Sequence, residues 1–165
     1  MLKLLAVVRG FVCACGFVWL WAWVVTSVRP LDARLGLDLP VWLQVPGLLL
    51  AIVGAVIDLW CVGAFALVGQ GTPAPFDAPR EFVGVGLYRY VRNPMYLGAI
   101  AVISGAGLML RSPSAVAVAG LFALLAHAFA LLHEEPALER RFGESYRRYK
   151  ASVNRWLPRR PRRAV

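Results

Sequence analysis

Residues 92–135 read RNPMYLGAIAVISGAGLMLRSPSAVAVAGLFALLAHAFALLHEE. Two apolar runs, Leu97 to Leu110 and Ser114 to Leu132, flank a short polar turn at Arg111 and Ser112. A chain that crosses an apolar layer twice comes back to the side it left, so the ends of this hairpin meet. At one end, Gly86-Leu-Tyr-Arg-Tyr-Val-Arg-Asn-Pro-Met-Tyr96 brings two arginines, an asparagine and three tyrosines; at the other stand Glu134 and Glu135. Convergent charges of both signs suit a zwitterionic ligand, with arginine available for a carboxylate and glutamate for a cation.

Working outward, 59% of the 165 residues are apolar and the mean hydropathy is +0.64, which excludes an ordinary soluble domain. Four stretches are candidate spans: Leu4–Val28, Val41–Val68, Tyr96–Leu110 and Ser114–Leu132. A crossing needs about 20 apolar residues, so the third is short. The runs are continuous rather than alternating, which selects helices over a closed barrel. The expected fold is therefore an all-α integral membrane protein with four transmembrane helices, a cytoplasmic loop over Gly69–Arg92 and a C-terminal amphipathic helix. No internal repeat divides it, and residues 1–165 read as one domain. The first run is too long for a signal peptide and lacks a small-residue cleavage site near Val28, so it is expected to be retained.

From His133 onward the chain carries ten Arg or Lys against four Glu. In a membrane protein such a run is a positive-inside flank that touches anionic headgroups, and no soluble domain is expected that would present a nucleic-acid groove. Both termini are thereby expected in the cytoplasm, with the plasma (inner) membrane as the location. The opposite loop, Arg29 to Pro40, balances two Arg with two Asp. Cys13, Cys15 and Cys61 lie in apolar runs, form no metal-ligand set and read as packing residues. No metal is expected.

The stretch Gly69-Gln-Gly71 to Pro79 is dense in Gly and Pro and reads as a loop, followed by Gly84 and Gly86. Pro136 suits the first turn of a new helix. Leu138, Phe142, Tyr146 and Tyr149 recur at near-helical spacing, and Gly143 among them suggests close packing. Arg9, Asp58 and His127 fall inside the apolar runs at similar depth. Ionisable groups there face a bundle interior or water, so they are either a structural polar cluster, with Asp58 paired to Arg9 or His127, or the wall of a substrate cavity.

Arg92-Asn-Pro-Met-Tyr96, followed by Glu134-Glu135-x-x-Leu138-x-x-x-Phe142-Gly143-x-x-Tyr146-x-x-Tyr149, resembles the C-terminal half of the isoprenylcysteine carboxyl methyltransferase and phospholipid methyltransferase superfamily. The likeness covers about Gly69 to Pro158. It implies an integral membrane enzyme that transfers a methyl group from S-adenosylmethionine to a lipophilic or membrane-embedded acceptor. By the same likeness the cofactor would be held by Gly69, Gly71, Arg80–Val83, Tyr88, Arg92, Asn93, Pro94, Met95 and Tyr96. Glu135 would face its cationic end, and Glu134 would act near the acceptor as the catalytic residue. Each has a plainer reading, since paired glutamates at a helix end are usually solvated and Tyr88, Tyr90 and Tyr96 suit an interfacial belt.

Two departures bear on the acceptor. The isoprenylcysteine enzymes carry histidine where this chain has Asn93, and arginine where it has Ala130. The second removes a residue expected to hold a carboxylate, which favours an amine, hydroxyl or thiol. Two rival readings stand beside this one: a nicotinamide-dependent membrane reductase, and a non-catalytic membrane protein that kept the fold.

Overall fold

In the computed structural model, residues 2–65 and 85–159 are described, and all the regular structure among them is helical. α1 spans Leu2–Leu35, α2 Gln44–Ala64, α3 Pro94–Met109, α4 Pro113–Phe129 and α5 Glu135–Ser152. A π-helical turn, Ala130–Glu134, joins the last two without a break. Among the described residues two helices are long and apolar enough to cross a membrane, Val41–Ala64 and Pro113–Ser152. α3, at 16 residues, is shorter. The expected segment Val41–Val68 begins as a 3₁₀ turn, Val41–Leu43, and runs on as α2; its last residues lie outside those described.

α1 corrects the expected loop Arg29 to Pro40. The helix continues through Pro30 to Leu35, so only Gly36 to Pro40 forms a loop. Gly36 ends it at φ 65°, and the Leu37 N–H reaches back to the Asp32 carbonyl at 2.9 Å, which satisfies an orphan carbonyl of the last turn. The extra turns are held by Asp32, whose carboxylate is buried and accepts from the Ser112 hydroxyl and, at 2.9 Å, from the Ser114 N–H. Ser112 also caps α4, accepting from the Ala115 N–H at 3.1 Å ahead of Pro113. One aspartate therefore fixes the end of α1 to the start of α4.

The closest packing is between α2 and α3. Gly47 and Gly54 on one helix face Gly105 and Gly98 on the other, antiparallel and in matching seven-residue steps. A methyl built on Gly54 would stand 2.5 Å from the Gly98 carbonyl oxygen, and one on Gly105 would stand 2.5 Å from that of Gly47. Backbone touches backbone, so dispersion is gained along the seam where lipid tails would offer no hydrophobic driving force. On the other flank, Trp21 of α1 meets Phe122 of α4 edge-on with centroids 4.8 Å apart. The outward faces remain apolar: Trp19, Trp42 and Leu124 are about 70% exposed, as a helix bundle in lipid requires.

Gly143 sits at φ 55°, ψ −128°, which breaks α5 into two halves at an angle, and among the described residues nothing lies within 4 Å of where its methyl would be. Glycine is needed there for its backbone.

The seam predicts an asymmetry between two glycines of α2. Gly54→Ala should cost about 1–3 kcal/mol by overpacking. Gly63→Ala, which meets nothing within 4 Å among the described residues, should be neutral or slightly stabilising. Thermal unfolding in detergent measures both, and equal losses would remove the seam as the tightest contact.

Candidate functional site

The segment before α3 is built to carry its polar groups inward. Gly86 at φ 58° opens a 3₁₀ turn, Gly86–Arg89, tight against the Trp60 indole. Tyr88 drops its ring into a buried cluster with Cys61 and Phe65, the latter edge-on at 5.6 Å. Burial, and then the neighbouring Cys61 thiol, push the Tyr88 phenol well above its ordinary pKa. Asn93 then sits at the N-terminal boundary of α3 with Pro94 in the first helical position, and Met95 packs on the Cys61 cluster. The Asn93 side chain does not cap the helix. Its Nδ2, like Nε of Arg92, is buried with no hydrogen-bond partner among the described residues.

The acidic pair arrives by a different route. Pro136 has no N–H for the preceding turn and its ring crowds the carbonyl four residues back. The turn before it, Ala130–Glu134, is widened to π geometry, a form that recurs at functional sites. The phase slip turns both glutamates toward α3. Glu134 accepts a hydrogen bond from the Tyr96 hydroxyl at 2.9 Å. Burial and the charge of Glu135 raise its affinity for a proton against the pull of that hydrogen bond.

Glu135 is 3% exposed and ringed by the chain's own cations. Arg155 binds it with Nε at 2.6 Å and Nη2 at 3.1 Å, Arg92 Nη1 lies 3.2 Å away and Lys150 Nζ 3.3 Å. Burial opposes ionisation, but the cations outweigh it and hold this carboxyl below its usual range. The two adjacent acids are thus pushed in opposite directions.

Residues 153–159 close over the site. Arg92 N–H donates to the Asn154 carbonyl at 2.9 Å, Arg159 N–H to that of Tyr90 at 2.8 Å, and the Tyr149 hydroxyl to that of Tyr88 at 2.7 Å. Trp156 lies beside Tyr96, centroids 6.3 Å apart, and its Nε1–H donates to His127 Nδ1 at 2.9 Å.

The structure therefore brings together Tyr88, Arg92, Asn93, Pro94, Met95, Tyr96, Glu134 and Glu135. Among the described residues, His127 reaches this group through Trp156. Asp58 stands elsewhere, on the α2–α3 seam against Gly98, and its buried Oδ1 has no hydrogen-bond partner among the described residues. An Asp58–His127 pair is thus corrected: the imidazole has turned to an indole on the α4 flank. Arg9 lies in α1 with its side chain outside the description, as are Gly69, Gly71, Arg80 and Val83 altogether. Sequence reasoning missed Arg155 and Trp156; the available signal was an arginine and a tryptophan just past the amphipathic helix.

Comparison with known proteins decides the family. The phospholipid methyltransferase profile matches residues 42–145, from the start of α2 to beyond the acidic pair. The chain belongs to this family. An uncharacterised protein of Haemophilus influenzae is 38% identical over 63 residues, 38% of this chain and all of that one. Phosphatidylethanolamine N-methyltransferases of Paracoccidioides lutzii and Yarrowia lipolytica are 34% identical over 73 residues and 40% over 71. Those matches cover 44% and 43% of this chain, and the chain spans only 8% of the length of each enzyme. No solved structure matches.

A carboxyl held below its ordinary value of 4.5 adds stability that is complete above that value and is lost as pH falls through the lowered one. Arg155→Gln should therefore lower stability at pH 7 by about 1–3 kcal/mol. The deficit should shrink on acidification below pH 4.5, where wild type loses the same contribution. Melting temperatures of both proteins across pH 3 to 7 check this.

Proposed function

We propose that this protein is a membrane methyltransferase that carries a methyl group from S-adenosylmethionine to an amine-bearing phospholipid. The observation that carries the reading is the meeting of a proton-avid Glu134 with buried donors at the start of α3 that have no hydrogen-bond partner among the described residues. Family membership supports the reaction type, and the two relatives named for phosphatidylethanolamine support the acceptor. The lack of an arginine at Ala130, where a carboxylate acceptor would be held, agrees with it.

The residues present fit the cofactor. Asn93 Nδ2 and Arg92 Nε are buried donors without hydrogen-bond partners among the described residues. An anionic group such as a carboxylate would satisfy both, at a helix N-terminus whose dipole favours negative charge. Tyr88, Pro94, Met95 and Tyr96 would line its apolar parts, and Gly69, Gly71, Arg80 and Val83 belong to the loop proposed to cover it. When bound, S-adenosylmethionine supplies an electrophilic methyl carbon.

This chain's residues have three tasks. Glu135 positions: its carboxylate holds the Arg92 guanidinium, which directs the free Nε inward. Glu134 takes the proton that the acceptor nitrogen sheds, at an oxygen oriented by the Tyr96 hydroxyl. The strap at 153–159 and Trp156 exclude water from the pair. Four crossings, with both termini and the Arg92–Tyr96 end in the cytoplasm, follow from the arginine excess after His133, and the acceptor enters from the bilayer.

Isothermal titration of detergent-purified protein with S-adenosylmethionine tests the reading, and folded protein that fails to bind at millimolar donor defeats it. Asn93→Ala should weaken donor binding about tenfold. Glu134→Gln should leave that binding within about twofold while methyl transfer to phosphatidylethanolamine falls about 10²- to 10⁴-fold. Binding of NADPH in place of the donor would favour the reductase.

A further inference from the structure

The break at Gly143 has made a second concavity. Arg147 Nε contacts Glu139 Oε1 at 2.8 Å, across eight residues. On a straight helix that separation is about 12 Å along the axis, so the pair exists only because the second half of α5 folds back on the first. Lys150 Nζ follows, 3.6 Å from Glu139 and 3.3 Å from Glu135. The inner angle is a pocket of about 350 Å³ lined by Leu131 and Pro136, by Glu135 and Glu139, and by the cations Arg140, Arg147 and Lys150. None of Tyr88, Arg92, Asn93 or Tyr96 lines it.

Its charge and setting point to one ligand chemistry. Three cations face two carboxylates, and Glu135 is already served from its other side by Arg92 and Arg155. Arg140 has no ion-pair partner among the described residues, and the fork of its guanidinium matches phosphate oxygens. Leu131 and Leu132 of the π turn and Leu121, Leu124 and Leu125 of α4 are all well exposed. Such a stripe offers acyl chains a surface that ends where the cations begin.

We propose that the inner angle of the α5 kink is a lipid site, bordering the methyl-transfer centre at Glu135, that holds the phosphate of an anionic phospholipid whose chains lie along the leucines before Glu134. The lipid ties the kinked helix to the bilayer surface. Occupancy needs no methyl donor, so the site stands or falls apart from the catalytic reading.

The test uses full-length protein in mixed micelles with dioleoylphosphatidylglycerol, dioleoylphosphatidylcholine or inorganic phosphate, read by native mass spectrometry of retained lipid and by melting temperature. Wild type should retain phosphatidylglycerol and melt higher with it than with phosphatidylcholine. Arg140→Gln should weaken retention about fivefold, as one charge near an anionic surface is worth, and Arg140→Lys should restore most of it. Arg148→Gln removes an equal charge from α5 outside the pocket and should change retention less than about twofold. Equal losses in Arg140→Gln and Arg148→Gln would reduce the effect to diffuse charge and overturn the site. Equal retention of the two lipids would overturn its selectivity for anions. Stabilisation by inorganic phosphate as large as that by phosphatidylglycerol would make it a site for soluble anions and overturn the lipid assignment.

Discussion

A carboxylate as deeply buried as Glu135 persists only if cations come to it, and the cations come from three parts of the chain. Arg92 stands just ahead of α3, Lys150 near the end of α5, and Arg155 in the strap that follows. Removing water from an ion is expensive, and that penalty is offset here by geometry: a two-pronged arginine contact plus two further positive neighbours. The consequence is conformational. Wherever Glu135 sits, the approach to α3, the kinked helix and the strap must sit too, and Glu134, one residue earlier, is placed against Tyr96 as a by-product. Glu134 shares none of those cations, and in the proposed mechanism it is the acid left to take a proton.

The sequence displayed the parts of this arrangement but not its joints. Apolar runs gave the helices of the hairpin to within a few residues, because continuous hydrophobicity leaves few alternatives. Arg92 to Tyr96 and Glu134-Glu135 could be placed together from the return of the hairpin alone. The phase of the acidic pair could not. It depends on how the chain absorbs Pro136, and a kink, a break and a π turn are equally legible in Leu-Leu-His-Glu-Glu-Pro. Gly143 was visible but its positive φ was not, since a glycine in an amphipathic pattern is ambiguous between small size and backbone freedom. The glycine seam was available as two seven-residue steps, 47 to 54 and 98 to 105, on segments otherwise read only for length. Asp58 and His127 were matched by depth, but depth along a helix says nothing about direction around it.

The seam and the short helix explain each other. At about 1.5 Å per residue, the 16 residues of α3 reach about 24 Å, less than the roughly 30 Å of a hydrocarbon core. With Arg111 anchored at the far end to Asp38 and to the Leu39 carbonyl at 2.8 Å, the deficit falls at the Asn93 end. In the proposed arrangement this draws Asn93, Tyr96 and Glu134 a few ångströms below the level at which α2 and α4 leave the bilayer. Unsatisfied polar groups are costly at that depth. They are tolerated because the 3₁₀ turn, the π turn and the strap bury them in protein, and the backbone contact of Gly98 and Gly105 with α2 keeps α3 from sliding outward to relieve the mismatch. A methyl acceptor anchored in lipid and a donor arriving from water would then meet at one depth, a position that follows from the length of one helix and the lack of four methyl groups.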